Sequence, residues 1–292
     1  MDASTENAKM LAMLSDLQIS RYNALAAATI IIFDHVNTLG EEVELIWKER
    51  PSWGSVLFIL NRYYGLFAAI FNTYTSLSNG LSISVRHFWI KWQSWTAVFT
   101  TTAITQLVLI LRIRAMYSND RSMTIVMCIA FVFSLTSCTV IMNEAIREIS
   151  VTVMSVSGRT FCRPSSAPAT LPAYFIPVIV FETFLFGLAV VKWVRDVGFR
   201  LSSRAFAPAL LHILVLDSVV YFIVMTAAYA MNALLWIVKP EVPELPIGFV
   251  IALACVMGDR LILNIRARHI RTTQHPSVFT LGRDLDPDPE RT

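Results

Sequence analysis

The sequence predicts an all-α membrane protein, a polytopic bundle of seven transmembrane helices with the N-terminus outside and the C-terminus cytoplasmic. Three observations predict it. Apolar residues make up 55% of the chain and charged residues only 15%, whereas soluble domains carry about a quarter charged. The charges are also clustered: 20 residues without one separate Lys91 from Arg112, and 22 separate Arg121 from Glu144. A helix of roughly that length crosses a bilayer core while closing its own backbone hydrogen bonds. Finally, Trp47, Trp53, Trp89, Trp92, Trp95, Trp193 and Trp236 all fall at or near the ends of apolar stretches. Indole prefers the headgroup level, because its ring is apolar and its N–H needs a partner.

Taken in order, the expected spans are residues 22–39, 53–77, 88–111, 122–142, 171–191, 209–238 and 246–265. The first 20 residues lack the apolar core of a signal peptide, so the first span is expected to direct insertion. Residues 41–51 mix acids with Leu45, Ile46 and Trp47. They read as a short interfacial helix stopped by Pro51, with a docking surface for a cytosolic partner as the sharper alternative. The longest connection, residues 143–170, contains Pro164 and Pro168. Residues 1–268 form one bundle, and residues 269–292 read as a cytoplasmic disordered tail ending in Asp284-Leu285-Asp286-Pro287-Asp288-Pro289-Glu290.

Orientation follows from lysine and arginine. With the N-terminus outside, 15 fall in inner segments and 8 in outer ones, and Arg62 lies inside a span. The positive-inside rule therefore places the C-terminus in the cytosol. The net charge of +3 and the lack of a long basic tract argue against a nucleic-acid partner. Arg266, Arg268 and Arg271 follow the last span directly and are expected among anionic lipid headgroups.

Several motifs recur together. They are Asp34-His35-Val36-Asn37-Thr38-Leu39, Glu42, Leu45-Ile46-Trp47, Leu60-Asn61-Arg62-Tyr63, Tyr174-Phe175-Ile176-Pro177 and Met257-Gly258-Asp259-Arg260. The chain in this respect resembles a basidiomycete fungal family of seven-helix integral membrane proteins, domain of unknown function 6533. The N-terminal signature spans about residues 22–67, and the resemblance extends over roughly residues 20–268. It implies a fungal seven-helix protein and carries no activity.

Ionisable groups at membrane depth are the candidate site, because they are costly in lipid and turn toward the bundle interior. At 1.5 Å per residue, Arg62, Glu182 and Asp217 lie about 13, 16 and 12 Å into their helices. All three are expected to converge, with Arg62 neutralising one of the two acids. Secondary polar candidates are Asp34, His35, His212, Asn232, Asp259, Arg260 and Asn264. Asn61, Asn72 and Gln106, with Asn232 and Asn264, suit interhelical hydrogen bonding. Thr100, Thr101 and Thr102 suit bonds to their own helix backbone. Cys138 and Cys162 fall near one membrane face, where an oxidising environment permits a disulfide.

The first functional reading is a receptor-like or sensor-like protein with a small-molecule ligand. The third span ends Leu111-Arg112-Ile113-Arg114-Ala115-Met116-Tyr117 without an acidic-Arg-Tyr motif, and the seventh lacks Asn-Pro-x-x-Tyr. G-protein coupling therefore has no motif behind it. A small-molecule or ion transporter is the alternative, although no internal repeat is visible. A membrane-embedded metal-dependent hydrolase comes third, since a zinc site needs about three ligands and only His35 and His212 lie in spans. No enzymatic activity, cofactor or metal is expected. The localisation is a multi-pass membrane, plasma or internal.

Overall fold

The computed structural model describes residues 3–78, 82–117, 120–148, 151–156, 159–164, 168–200, 208–239 and 247–274. Among them the chain forms seven helical rods. Helix α1 is Ala3–Glu42 and runs on into a π turn, Val43–Trp47. Helix α2, Trp53–Leu77, carries a π turn at Leu60–Tyr64. Helix α3 is built from Ile83–Ala97, a π stretch Val98–Ile104, and Thr105–Met116. Helices α4 (Arg121–Glu148), α5 (Phe175–Arg200), α6 (Pro208–Val238) and α7 (Ile247–Gln274) follow. Between α4 and α5, strands β1 (Val151–Val156) and β2 (Arg159–Pro164) pair antiparallel.

Local chemistry explains the starts. Ser52 caps α2 by accepting from the Ser55 backbone N–H, and the Ser55 hydroxyl accepts from the Ser52 backbone N–H in return. Ser82 caps α3 by a single bond, accepting from the Val85 backbone N–H. Pro172 sits in the 3-10 turn Leu171–Tyr174 that opens α5, where its missing N–H costs no helical bond.

Burial is inverted relative to a soluble protein. Phe33, Trp53, Phe133, Val180 and Ile237 are largely exposed, while Asn61, Arg62, Thr100, Gln106, Glu182 and Asn232 are buried. Such a surface needs an apolar solvent. Six rods, α2 to α7, are long and apolar enough to cross a membrane. The protein is an integral membrane protein with several helical spans.

Helix α1 falls short of that apolarity because of the polar residues on one of its faces. Asn23, Asp34, Thr38 and Glu42 form a stripe at helical spacing and are all buried, with Ala27 and Ile31 between them. Ile32, Phe33, Val36 and Leu39 point outward. The stripe packs against α2 and α7. Helix α3 is the axis of the bundle: 78% of its most apolar window is buried, against 22% for α4. Glycines set the closest approach. A Cβ on Gly65 of α2 would lie 2.5 Å from Cys255 Sγ of α7, and one on Gly258 would lie 3.0 Å from Asn61 Nδ2. Small residues let helix backbones approach where the lipid supplies no hydrophobic drive.

The helices outrun the expected spans. Helix α1 begins well before residue 22, α5 continues to Arg200 and α7 to Gln274. Only the second expected span, residues 53–77, has the observed limits. The connection expected over residues 143–170 is corrected: α4 takes its first part, and the hairpin occupies much of the rest. The interfacial helix expected at residues 41–51 is instead the end of α1 with its π turn.

Candidate functional site

The densest group of buried charges joins the end of α1 to inner positions of α2 and α7. Its centre is Arg62, placed by the π turn of α2. In a regular helix neighbouring side chains diverge by about 100°. The wider i→i+5 turn reduces that angle, and Asn61 and Arg62 both point inward, each almost fully buried. Arg62 Nε contacts Glu42 Oε2 at 2.7 Å, and Nη1 stands 3.6 Å from Asp259 Oδ2. The guanidinium also donates to Thr38 Oγ1 (2.9 Å) and to the His35 carbonyl (2.8 Å), and it lies 5.3 Å from the Phe58 ring centre.

The acids are held by further donors. Glu42 Oε1 accepts from Tyr63 Oη (2.8 Å) and Trp47 Nε1 (3.0 Å). Asn61 Nδ2 donates to Asp259 Oδ1 (2.9 Å) and to the Cys255 carbonyl (2.8 Å). One turn away, Arg260 Nε donates to Asp34 Oδ1 at 2.8 Å, closing a second α7–α1 contact. Removing one member of such a set leaves an uncompensated charge in a low dielectric, which costs several kcal/mol. The network therefore couples three helices.

Beside it is a crevice of about 500 Å³, bounded by the segment between α1 and α2, the end of α3, and α7. Its charged lining is Glu49, Arg50, Arg112 and Arg266. Arg266 donates to the Leu45 carbonyl at 2.6 Å and to the hydroxyls of Ser52 and Ser55, so α7 also holds the start of α2.

A separate polar group lies among α3, α5 and α6. Glu182 Oε1 accepts from Tyr229 Oη at 3.0 Å, and Oε2 has no hydrogen-bond partner among the described residues. Glu182 lines a cavity of about 20 Å³ together with Arg112, Ser218 and Tyr221. That volume suits one water molecule. Arg112 lines both this cavity and the crevice.

The expected convergence of Arg62, Glu182 and Asp217 is therefore corrected for its first pair. Arg62 meets Glu42 and Asp259, and Glu182 meets Tyr229. Depth along a helix does not say which way a side chain faces, and the two groups sit in different helix contacts. Asp217 and His212 lie on α6 with side chains outside the described residues, as do those of Arg268 and Arg271 on α7. Asp34, Asp259 and Arg260 join the first network, and His35 enters it through its carbonyl. The His35 ring meets Tyr63 edge-on at 5.5 Å. Asn232 is buried, and its amide lacks a hydrogen-bond partner among the described residues. Asn264 is exposed, which removes it from the interhelical set.

Other expectations met mixed outcomes. Trp89 Nε1 donates to Asn72 Oδ1 (3.0 Å), and Gln106 Nε2 donates to Ser134 Oγ (3.1 Å). Thr100 and Thr101 bond their own helix backbone, while Thr101 and Thr102 also meet the Tyr174 hydroxyl of α5 at 3.0 and 2.8 Å. Cys138 is a free, buried cysteine whose Sγ faces the Tyr174 carbonyl, and the side chain of Cys162 lies outside the described residues. Among the described residues no three His, Cys, Asp or Glu side chains stand close enough to hold a metal ion.

Sequence reading missed Glu42, Thr38 and Tyr63 as members of the Arg62 network, and Arg112 beside Glu182. A signal for two of them was present: Asp34, Thr38 and Glu42 follow at four-residue spacing and continue one helical face past the expected end of the first span.

Over residues 22–67 the chain matches a family of unknown function (DUF6533). The matched segment contains every member of the Arg62 network except those that α7 supplies. No curated protein matches the chain.

Proposed function

We propose that this chain is a receptor-like sensor, a seven-span bundle with its N-terminus outside, in which the Arg62 network latches α1, α2 and α7 to one another. The positive-inside bias supports the orientation. The buried polar stripe of α1, with apolar residues facing outward, supports its role as a seventh span.

One observation carries the reading. The charges that join three helices lie about one helical turn along the chain, at Glu42 and Asp259, from Leu45 and Ile262 in the lining of a ligand-sized crevice. Contacts of this kind have discrete arrangements, so a ligand that favours the broken arrangement shifts the population of a latched state. The family-matched segment supplies two of the three latched helices.

The test uses the purified full chain with spin labels at Gly54 and Ala115, on opposite walls of the crevice. Glu42→Gln and Asp259→Asn should each broaden or lengthen the label-to-label distance. A thermal-shift screen of sterols, lipids and small volatile or nutrient molecules should find a compound that moves the wild-type distance in the same direction. Distances that stay unchanged in both variants would sink the latch.

A transporter is the second reading, and a different observation favours it. Glu182 holds a carboxylate oxygen without a described partner at membrane depth, and Arg112 links its cavity to the crevice. Proton-driven solute uptake into proteoliposomes, lost in Glu182→Gln, would replace the sensor reading.

A further inference from the structure

A further cavity lies toward the other end of α1 from the Arg62 network. It is walled by α1, α2, the first turns of α3 and the start of α7. Asn23 of α1 stands in its wall, about 28 Å along the helix from Glu42 at about 1.5 Å per residue. The volume is about 30 Å³, whereas one water needs about 10–15 Å³. Small side chains make the space. Ala24, Ala27 and Ala28 line it from α1, Ala69 from α2 and Gly248 from α7. A Cβ on Gly248 would meet Ala27 Cβ at 3.4 Å and come within 4.0 Å of Asn23 Nδ2, so the glycine lets α7 close against α1 here.

The polar groups in the wall are uncharged. Among the described residues the lining holds no Asp, Glu, Lys, Arg or His, but it holds the amides of Asn23, Asn72 and Gln93. Asn23 and Gln93 are only 8% and 7% exposed. Asn23 Oδ1 accepts no hydrogen bond from the described residues, a costly state for a buried oxygen. Asn72 Oδ1 is taken by Trp89 Nε1 at 3.0 Å, which leaves the Asn72 amide as a donor. What enters must therefore bring a donor for Asn23. A charged ligand would find no counter-ion. A lipid tail would fill the space and leave Asn23 Oδ1 unpaired. A hydroxyl both donates and accepts at one atom, and a short hydrocarbon attached to it suits walls of alanine.

The geometry points to a binding site for a short-chain neutral alcohol in this cavity. Its hydroxyl donates to Asn23 Oδ1, and its few carbons rest on the alanines. The space admits a molecule larger than one water and excludes anything the size of a lipid. The site does not rest on the Arg62 latch, because its occupancy is read without any conformational change.

The experiment photolabels the detergent-purified full chain with a diazirine-bearing butanol and maps the adducts by peptide mass spectrometry. Adducts should saturate and concentrate on α1 and the first turns of α3, and 2-propanol should compete them away. Acetone matches 2-propanol in heavy atoms and has no donor. It should compete about fivefold less well, the worth of one hydrogen bond. Asn23→Leu should erase that preference. Ala24→Leu, at a half-buried lining position, should abolish the adduct by filling the cavity. Equal competition by acetone in the wild type would overturn the proposal. So would labelling of the exposed face of α4 as strong as that of α1, which would mark partition into the apolar surface only. Wild-type labelling and preference in both variants would also overturn it. A chain without any saturable adduct would leave the cavity to water and do the same. Should Ala24→Leu fail to fold, the ratio of 2-propanol to acetone in the wild type and in Asn23→Leu decides.

Discussion

At the scale of single residues, the choice of partner decides what each buried charge does. Arg62 is satisfied by Glu42, Asp259, Thr38 and a backbone carbonyl. Arg62→Leu should therefore destabilise by about 3–5 kcal/mol, because it leaves two acids facing each other in a dry contact. Combining it with Glu42→Leu should cost clearly less than the sum of the two single changes. The same cycle between Arg62 and Glu182 should give coupling within about 0.5 kcal/mol of zero, as for separated sites. Thermal unfolding of the four variants in each cycle measures both, and strong coupling to Glu182 would restore the convergence the sequence suggested. Gly65 offers a steric counterpart. Gly65→Ala places its methyl against Cys255 Sγ and should cost about 1–3 kcal/mol as overpacking. Cys255→Ala in the same chain should recover much of that loss, and a failure to recover would mean that the contact is not what limits the approach of α2 and α7.

At the scale of elements, the π turns of α2 and α3 stand where polar side chains face inward together, unlike the π turn that ends α1, which buries only Ile46. That in α2 presents Asn61 and Arg62, and that in α3 presents Thr100, Thr101 and Thr102 to the bundle core. Tyr174, at the entry to α5, bonds two of these threonines. Tyr174→Phe should lower stability by about 0.5–1.5 kcal/mol, the usual worth of an interhelical hydrogen bond. A neutral result would show that the threonines fully satisfy themselves on their own helix. The helix signal was legible because it depends on composition and period alone. Period could not reveal the π turns, since they alter facing by part of a turn without altering the apolar content of the window.

At the scale of the whole molecule, topology is the testable quantity. A single cysteine introduced for Ser155, in the hairpin, should label from the side opposite to one introduced for Thr280. Labelling of both from one side would remove the odd number of spans between them. The same scale separates what the sequence by itself determined from what tertiary structure decided. Long uncharged windows and terminal tryptophans were enough to establish a helical membrane protein, because insertion is governed by the local transfer free energy of each segment. They also identified which charges are unusual for their depth. The pairing of those charges was decided by the bundle. Arg62 meets Glu42 across the short link between α1 and α2 and Asp259 across about two-thirds of the sequence, while Glu182 at similar depth meets Tyr229. Depth is a one-dimensional property that each helix carries alone. Contact depends on helix rotation and on how closely glycines such as Gly65 and Gly258 let backbones approach, and those are settled only when the helices pack against one another.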